Sequence, residues 1–196
     1  MDSLALAPIL AIPVTEIVDP DRELADRFRA GERDAFDQLV RRHQKGVWRL
    51  VRRYLRNDAD SSDVTQQVFV RAFRGLLTFR GQSSVRSWLY RIAINCSLSW
   101  IRDHRHETAT EIAEDALTEA HPGPDRIAGS QDNARLRAAI AQLPPKQKMV
   151  LELRIYDDLS FREVAELADC SENTAKVNFH YAVKRLRDIL GGKLGD

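Results

Sequence analysis

Toward the C-terminal end, Asn173, Lys176, Val177, His180 and Lys184 recur at helical spacing. Ala175, Phe179, Ala182 and Leu186 recur on the opposite side at steps of 4, 3 and 4 residues. A helix divided in this way buries the second set and offers the first to solvent. The offered groups suit the major-groove edge of duplex DNA. Amide and ammonium groups hydrogen-bond to base edges, and the methyl groups of Val177 pack on a thymine methyl. Ser171 and Thr174 stand at the entrance to the same helix. Lys184, Arg185 and Arg187 are placed for phosphates, which add affinity without sequence information. Two of these positions carry a second reading: Asn173 as a helix cap and His180 as a solvated surface residue.

A second constellation lies earlier. Phe79, Arg80 and Gln82 fall in a loop, and Arg86, Tyr90, Arg91, Asn95, Arg102 and Arg105 follow on a helical pattern. Aromatic rings interleaved with arginines suit single-stranded nucleic acid, because bases stack on rings while cations track the backbone. Side-chain amides in such a loop can read an unstacked base. Phe79 either stacks on a base or closes the core. Tyr90 falls off the apolar stripe and is available to stack, whereas Trp88 and Trp100 match the stripe. A third face, Asp63, Gln66, Gln67 and Arg71, mixes acceptors, donors and charge. That mixture suits a protein partner better than DNA, the alternative being a plain solvated face.

No Gly-rich phosphate loop, zinc-ligand spacing or nucleophile–base set stands out in the sequence. His104 and His106 read as basic contacts near a helix end. The expectation is therefore no catalytic residue, no metal and no cofactor.

The elements that must hold these groups are helical, since strand signals are scarce. One periodic segment runs from about Asp21 to Arg56, with Gly31 as a break. Its stripe is Phe36, Leu39, Val40, Val47, Trp48, Val51 and Leu55. Asn57 to Ser62 reads as a polar turn, and a helix follows from about Ser61 to Leu77. Another spans Ser84 to about His104, with Val85, Trp88, Leu89, Ile92, Cys96 and Trp100 inward. Pro144-Pro145 ends one helix and starts the next. Ser160 with Glu163 forms a capping box ahead of a short helix, Phe161 to Ala168. A turn at Asp169-Cys170-Ser171 precedes the last helix, Glu172 to about Leu190. A short helix, a tight turn and a longer helix make a helix-turn-helix.

Charge divides the chain the same way. Residues 22–106 hold 18 Lys+Arg against 9 Asp+Glu, residues 107–133 hold 1 against 7, and residues 134–196 hold 11 against 9. A basic block, an acidic connector and a second block imply two modules, 21–106 and 134–196. The connector 107–133, with its His121-Pro122-Gly123-Pro124 run, reads as a flexible linker, and residues 1–20 as a flexible arm. With 43% hydrophobic and 30% charged residues the composition is globular. Leu4 to Val14 is apolar, but no basic segment precedes it and Pro8 and Pro13 interrupt it. Neither a signal peptide nor a membrane span is therefore expected. Cys96 and Cys170, far apart and outside any ligand spacing, fit a reducing cytoplasm.

These residues resemble a known family. Asp63-x-x-Gln66-x-x-Phe69-x-Arg71-Ala72-Phe73, Trp88-Leu89-x-x-Ile92-Ala93-x-Asn95, and Leu143-Pro144-Pro145-Lys146-Gln147 occur in order. They are followed by Leu159-Ser160-Phe161-x-Glu163-Val164-Ala165 and Asn173-Thr174-Ala175-Lys176. Together they are similar to regions 2 and 4 of the extracytoplasmic-function sigma factors, the minimal members of the sigma-70 family. The resemblance covers about residues 22–106 and 134–190. It implies an all-α chain of two small domains that confers promoter specificity on RNA polymerase and is not itself an enzyme.

Under that resemblance Asp63, Gln66, Gln67 and Arg71 would dock on the β′ clamp helices of core polymerase. The loop at Phe79 and the helix after it would capture the melted −10 strand. The last helix would read the −35 duplex while its domain sits on the β flap. Many relatives are held inactive by an anti-sigma factor, a further partner for this chain. Several positions depart from the commoner pattern: Gln67 where an acid is frequent, Val85 for Phe, and Ser99 for Asp. In the last helix Asn173 stands for Gly, Val177-Asn178 for Ser-Arg, and Tyr181 for Arg. These bear on which −35 sequence is read. Two other readings are a free-standing helix-turn-helix regulator, which would dimerise on a two-fold site, and a nuclease.

Overall fold

A computed structural model describes residues 19–55, 57–104 and 131–191, with side chains from residue 134 onward in the last segment. The described residues form eight helices and no strand. The arm before residue 19, Arg105 and nearly all of the acidic connector lie outside them.

Helix α1 (Arg22–Arg29) is amphipathic and buries Leu24, Ala25 and Phe28. The chain then reverses at Gly31, whose φ of 102° is the left-handed region that glycine adopts without a Cβ penalty. Helix α2 (Arg33–Leu55) buries Phe36, Leu39, Val47, Val51 and Leu55 as its periodicity requires. It also buries two polar side chains, His43 and Arg53.

Helix α3 spans Asp58–Leu76 and starts earlier than the sequence suggests. The polar run read as a turn is its first turn. Asn57 Oδ1 accepts from Ala59 N at 2.8 Å, and Asp58 and Asp60 face the positive end of the helix dipole. Helix α4 (Val85–His104) is tied at its start by two oxygens: Ser84 Oγ accepts from Ser87 N at 3.1 Å, and Asp19 Oδ2 from Val85 N at 2.9 Å. Helices α1 to α4 close around Leu39, Ala72, Leu76, Val85 and Leu89. Phe73 meets Phe28 and Phe36 edge-on, with centroids 5.0 and 5.1 Å away, and Phe28 and Phe36 lie tilted at 5.4 Å.

The second unit holds α5 (Gln131–Ala141), α6 (Pro145–Ile155), α7 (Phe161–Leu167) and α8 (Glu172–Gly191). Pro145 occupies the first helical position of α6, where its missing N–H costs nothing. Between α6 and α7 the chain turns through Asp158 at φ 50°. Arg154 supports that turn: its guanidinium donates to the Leu159 carbonyl and lies 4.6 Å from the Phe161 ring centroid. The capping box forms as expected, Glu163 N donating to Ser160 Oγ at 3.2 Å and Ser160 N to Glu163 Oε2 at 2.8 Å. Ser171 Oγ caps α8 through Thr174 N at 3.0 Å. Ile140, Leu143, Leu151, Ala182 and Leu186 form the core beneath α8.

The two units meet. Val51, Tyr90 and Ile94 of the first belong to one continuous apolar cluster with Leu153, Leu159 and Val164 of the second.

Candidate nucleic-acid interface

Helix α8 separates its faces as the spacing requires. Ala175, Ala182 and Leu186 are buried, while Asn173, Thr174, Lys176, Val177, His180, Lys184 and Arg185 are exposed. Because Ser171 supplies the cap, Asn173 is left on the open surface of the first turn. Lys176 Nζ lies 2.6 Å from Glu172 Oε1, so its ammonium is already paired in the free chain. Asn178 Nδ2 returns to the Thr174 carbonyl at 3.0 Å. Tyr181, 53% exposed, extends the same surface beside His180, their rings 5.9 Å apart. Its step of four from Val177 was the available sign of this.

The loop and helix before it correct two expectations. Phe79 is buried, with its ring centroid 5.1 Å from that of Trp88. It closes the core rather than awaiting a base. Tyr90, read as lying off the apolar stripe, is only 2% exposed. The physical reason is that α4 has two buried faces. Val85 and Leu89 pack on the first unit, while Tyr90, Ile94 and Cys96 share the cluster formed with the second. A single stripe read from the sequence misses the other face. Burial pushes the Tyr90 hydroxyl above its ordinary pKa, and nearby Asp157 adds to this against a partial pull from Arg86.

The polar members remain at the surface. Arg80 and Gln82 are exposed. Arg91, Asn95 and Arg102 line one exposed stripe of α4, together with Leu98, 40% exposed. Arg86 is half-buried, its guanidinium 5.6 Å from the Tyr90 ring centroid. Gly81 turns the loop at φ 67°, and its carbonyl accepts from Arg22 Nη1 at 3.3 Å. Arg105 lies outside the described residues.

On α3, Asp63, Gln66, Gln67 and Arg71 come together with Val70 and Arg74 around one open groove. Val70, 52% exposed, supplies the apolar centre that the polar pattern hid. Burial pushes the Cys96 thiol up, partly offset by the adjacent Arg71 guanidinium. A thiol so held is poorly nucleophilic. Among the described residues no group of three or more His, Cys, Asp or Glu is placed to hold a metal ion.

The strongest buried electrostatics escaped the sequence reading altogether. Arg53 of α2 pairs with Asp157 of the α6–α7 turn, both essentially excluded from water. Burial alone would lower the Arg53 pKa, but Asp157 and Glu152 hold it above its ordinary value. Tyr90 Oη donates to Asp157 Oδ1 at 3.4 Å. Removing one partner of such a pair strands a charge at a cost of about 3–5 kcal/mol.

The Sigma-70 region 2 model matches residues 39–107, and the Sigma-70 region 4 model matches residues 133–186. The ECF RNA polymerase sigma-E factor of Escherichia coli K12 is 32% identical over 184 residues, covering 89% of this chain and 94% of the relative. The chain belongs to the extracytoplasmic-function group of the sigma-70 family. SigM of Mycobacterium tuberculosis is 33% identical over 172 residues, 87% of this chain and 85% of the relative. The RNA polymerase sigma-H factor of Pseudomonas aeruginosa is 30% identical over 168 residues, 81% and 87%.

The fold agrees. The structure of CnrH in complex with the cytosolic domain of CnrY superimposes with a TM-score of 0.65 at 24% identity, covering 89% of this chain and 99% of that one. RpoE of Bartonella quintana, solved with the anti-sigma factor NepR, gives 0.61 at 20% identity, over 81% and 98%. The sigma factor thus combines a region 2 helical unit, α2 to α4 with α1 packed on it, and a region 4 helix-turn-helix, α7 and α8. Its function is promoter recognition by RNA polymerase in transcription initiation. No described helix of this sigma factor is long and apolar enough to cross a membrane.

Proposed function

We propose that the three exposed surfaces divide the work of initiation. The α3 groove around Val70, with Asp63, Gln66, Gln67 and Arg71, docks on the β′ clamp helices of core polymerase. The stripe of Arg91, Asn95 and Arg102, with Arg80, Gln82 and Arg86 at its loop end, holds the melted −10 strand. The face of α8 with Asn173, Lys176, Val177, His180 and Tyr181 reads the −35 duplex. Ser171, Thr174, Lys184 and Arg185 flank it toward the backbone.

The domains are taken as 21–106 and 134–196, joined by 107–133. Phe79 acts from beneath, as the floor of the loop rather than as a stacking ring. The chain works in the cytoplasm, carries no chemistry of its own, and leaves bond formation to the polymerase. An anti-sigma factor is a fitting further partner, given that RpoE of Bartonella quintana was solved with the anti-sigma factor NepR bound.

The observation that carries this reading is α8. Its buried stripe leaves an amide, an ammonium, a methyl pair and two rings on one surface of the second helix of a helix-turn-helix, the part that enters the major groove. Run-off transcription with core polymerase on a genomic promoter library tests it. Promoter-specific transcripts should require this chain. Lys176→Ala should lower them by weakening duplex binding, and Gln82→Ala by reducing permanganate reactivity of the melted bubble. Equal transcription without the chain would overturn the assignment.

A further inference from the structure

The short segment leading into α1, Asp19-Pro20-Asp21-Arg22, packs beside the loop proposed to meet the −10 strand, although the two are far apart in sequence. The segment is first fixed to α2. Asp21, 2% exposed, accepts from Arg42, and its Oδ2 lies 2.7 Å from His43 Nε2. Arg42 Nη1 also donates to the Pro20 carbonyl at 3.4 Å. Two side chains then reach from this segment to the two sides of the loop. Arg22 Nη1 donates to the Gly81 carbonyl at 3.3 Å. Asp19 divides its carboxylate: Oδ1 accepts from Asp21 N at 3.1 Å, and Oδ2 accepts from Val85 N at 2.9 Å. Gly81 makes room for the first contact, since a Cβ there would stand 1.8 Å from Arg22 Nη1.

We propose that Asp19 and Arg22 are positioning residues for −10 recognition: they hold the loop so that Arg80 and Gln82 are already set to meet the melted strand. The inference rests on the −10 assignment of that loop given above. Arg80 and Gln82 flank the anchored Gly81, and only Gln82, Ser83 and Ser84 lie between the two anchors. A loop tethered on both sides has few conformations left to lose on binding, and such preorganisation raises both affinity and selectivity. Val85 N is one of the orphan donors in the first turn of α4. The neighbouring Ser84 Oγ is turned to Ser87 N at 3.1 Å, so the acceptor for Val85 comes from 66 positions away. Charge cannot explain Asp19 here, because a carboxylate beside a nucleic-acid strand repels its phosphates. What Asp19 supplies is an oxygen in a fixed place.

That difference in sign gives the test. Run-off transcription by the holoenzyme is measured on one promoter from the genomic library, and on the same promoter with each −10 base changed in turn. Asp19→Ala should lower the preference for the matched −10 sequence by about five- to tenfold, with core binding and −35 duplex binding unchanged. Asp19→Asn keeps an oxygen for Val85 N and should retain more of that preference than the alanine variant. Arg22→Ala loosens the other side of the loop and should erode the same preference without changing the salt dependence of binding to a −10 single strand. A phosphate contact would instead reduce the salt slope. Asp19→Ala that binds the −10 strand as well as wild type, or better, with the same base preference would overturn the positioning role.

A second measurement is independent of transcription. Amide hydrogen exchange at Val85 in the free chain should speed up at least about tenfold in Asp19→Ala at unchanged helicity. Exchange as slow as in wild type counts against the proposal. Should wild-type holoenzyme itself show no −10 dependence, the assignment of the loop falls and this inference with it. Wild-type dependence that both alanine variants preserve removes the positioning role alone.

Discussion

Ser84 Oγ, at the head of α4, donates to Glu163 Oε1 at 2.8 Å while the other oxygen of the same carboxylate closes the capping box of α7 through Ser160 N at 2.8 Å. One carboxylate thus organises a helix start within its own unit and a contact between units. Ser160→Ala removes only part of the cap and should cost about 1 kcal/mol. Glu163→Ala also removes the shared acceptor of two interface hydroxyls, Ser84 and Ser87, and should cost more, on the order of 2–4 kcal/mol. Urea unfolding of the two variants checks this. Equal losses would mean that the bonds between units add nothing.

Acid should reveal the same carboxylate. Burial pushes the Glu163 pKa up, but hydrogen bonds from the Ser160 backbone, Ser84, the Ser160 hydroxyl and Ser87 more than offset it and hold the group below its ordinary value. Asp21 is held low in the same sense: burial is outweighed by His43 and Arg42, with His43 Nε2 2.7 Å from Asp21 Oδ2. A depressed carboxylate contributes stability above its unfolded pKa, about 4, and loses it as pH falls through the folded value. The stability difference between wild type and Glu163→Gln should be full above about pH 5 and shrink below about pH 4. Urea midpoints across that range measure it. A constant difference would contradict the assignment.

Glu152 should behave in the opposite sense. Burial pushes its carboxyl up and Asp157 adds to this, while Arg53 and Lys148 draw it partly back. A raised carboxylate favours the folded state below its unfolded pKa, and the benefit is lost as pH rises through the folded value. Glu152→Gln should therefore match or exceed wild-type stability near neutrality and lose that advantage near pH 4, about the unfolded carboxylate value. Thermal unfolding at the two pH values distinguishes the cases.

The α3 surface gives a binding prediction. Asp63→Ala with Gln66→Ala should weaken association with core polymerase by roughly tenfold or more, and Val70→Asp by more still, because an apolar centre ringed by polar contacts carries most of such an interface. Competition with labelled chain for core enzyme measures both. Unaltered affinity in the double variant would remove the groove from the docking surface.

For α8, the ion pair between Lys176 and Glu172 makes two variants informative. Lys176→Ala should weaken −35 duplex binding by about 1–3 kcal/mol if the ammonium reads a base. Glu172→Ala frees that ammonium and should leave binding equal or stronger. Fluorescence anisotropy on matched and mismatched duplexes also separates base reading from phosphate contact, since a phosphate contact weakens all sequences alike.

Beneath the loop, a Cβ at Gly75 would stand 2.9 Å from Trp88 Cζ2. The Trp88 ring supports Phe79. Gly75→Ala should cost about 1–3 kcal/mol by overpacking and shift tryptophan emission. It should impair promoter opening more than duplex binding.

Much of this molecule was legible locally. The capping box at Ser160 and Glu163, the proline start of α6, the break at Gly31 and the two faces of α8 each depend on residues within a few positions of one another. Helix periodicity and cap chemistry are enough to reveal them. The start of α3 was misread because Asn57, Asp58 and Asp60 look like a turn until the Asn side chain is seen to cap a helix. Val70 was missed because one apolar residue within a polar face carries no periodic signal.

What the amino-acid order determined by itself was therefore the set of helices, the outward face of α8 and the family to which they belong. Only the tertiary structure decided that Tyr90 and Phe79 are buried, that Arg53 finds Asp157 across 104 positions, and that Glu163 reaches Ser84. The physical reason is that a helix declares one buried face through its own repeat. A second buried face on α4 exists only because another surface of matching shape and charge is brought against it, and no local spacing encodes that match.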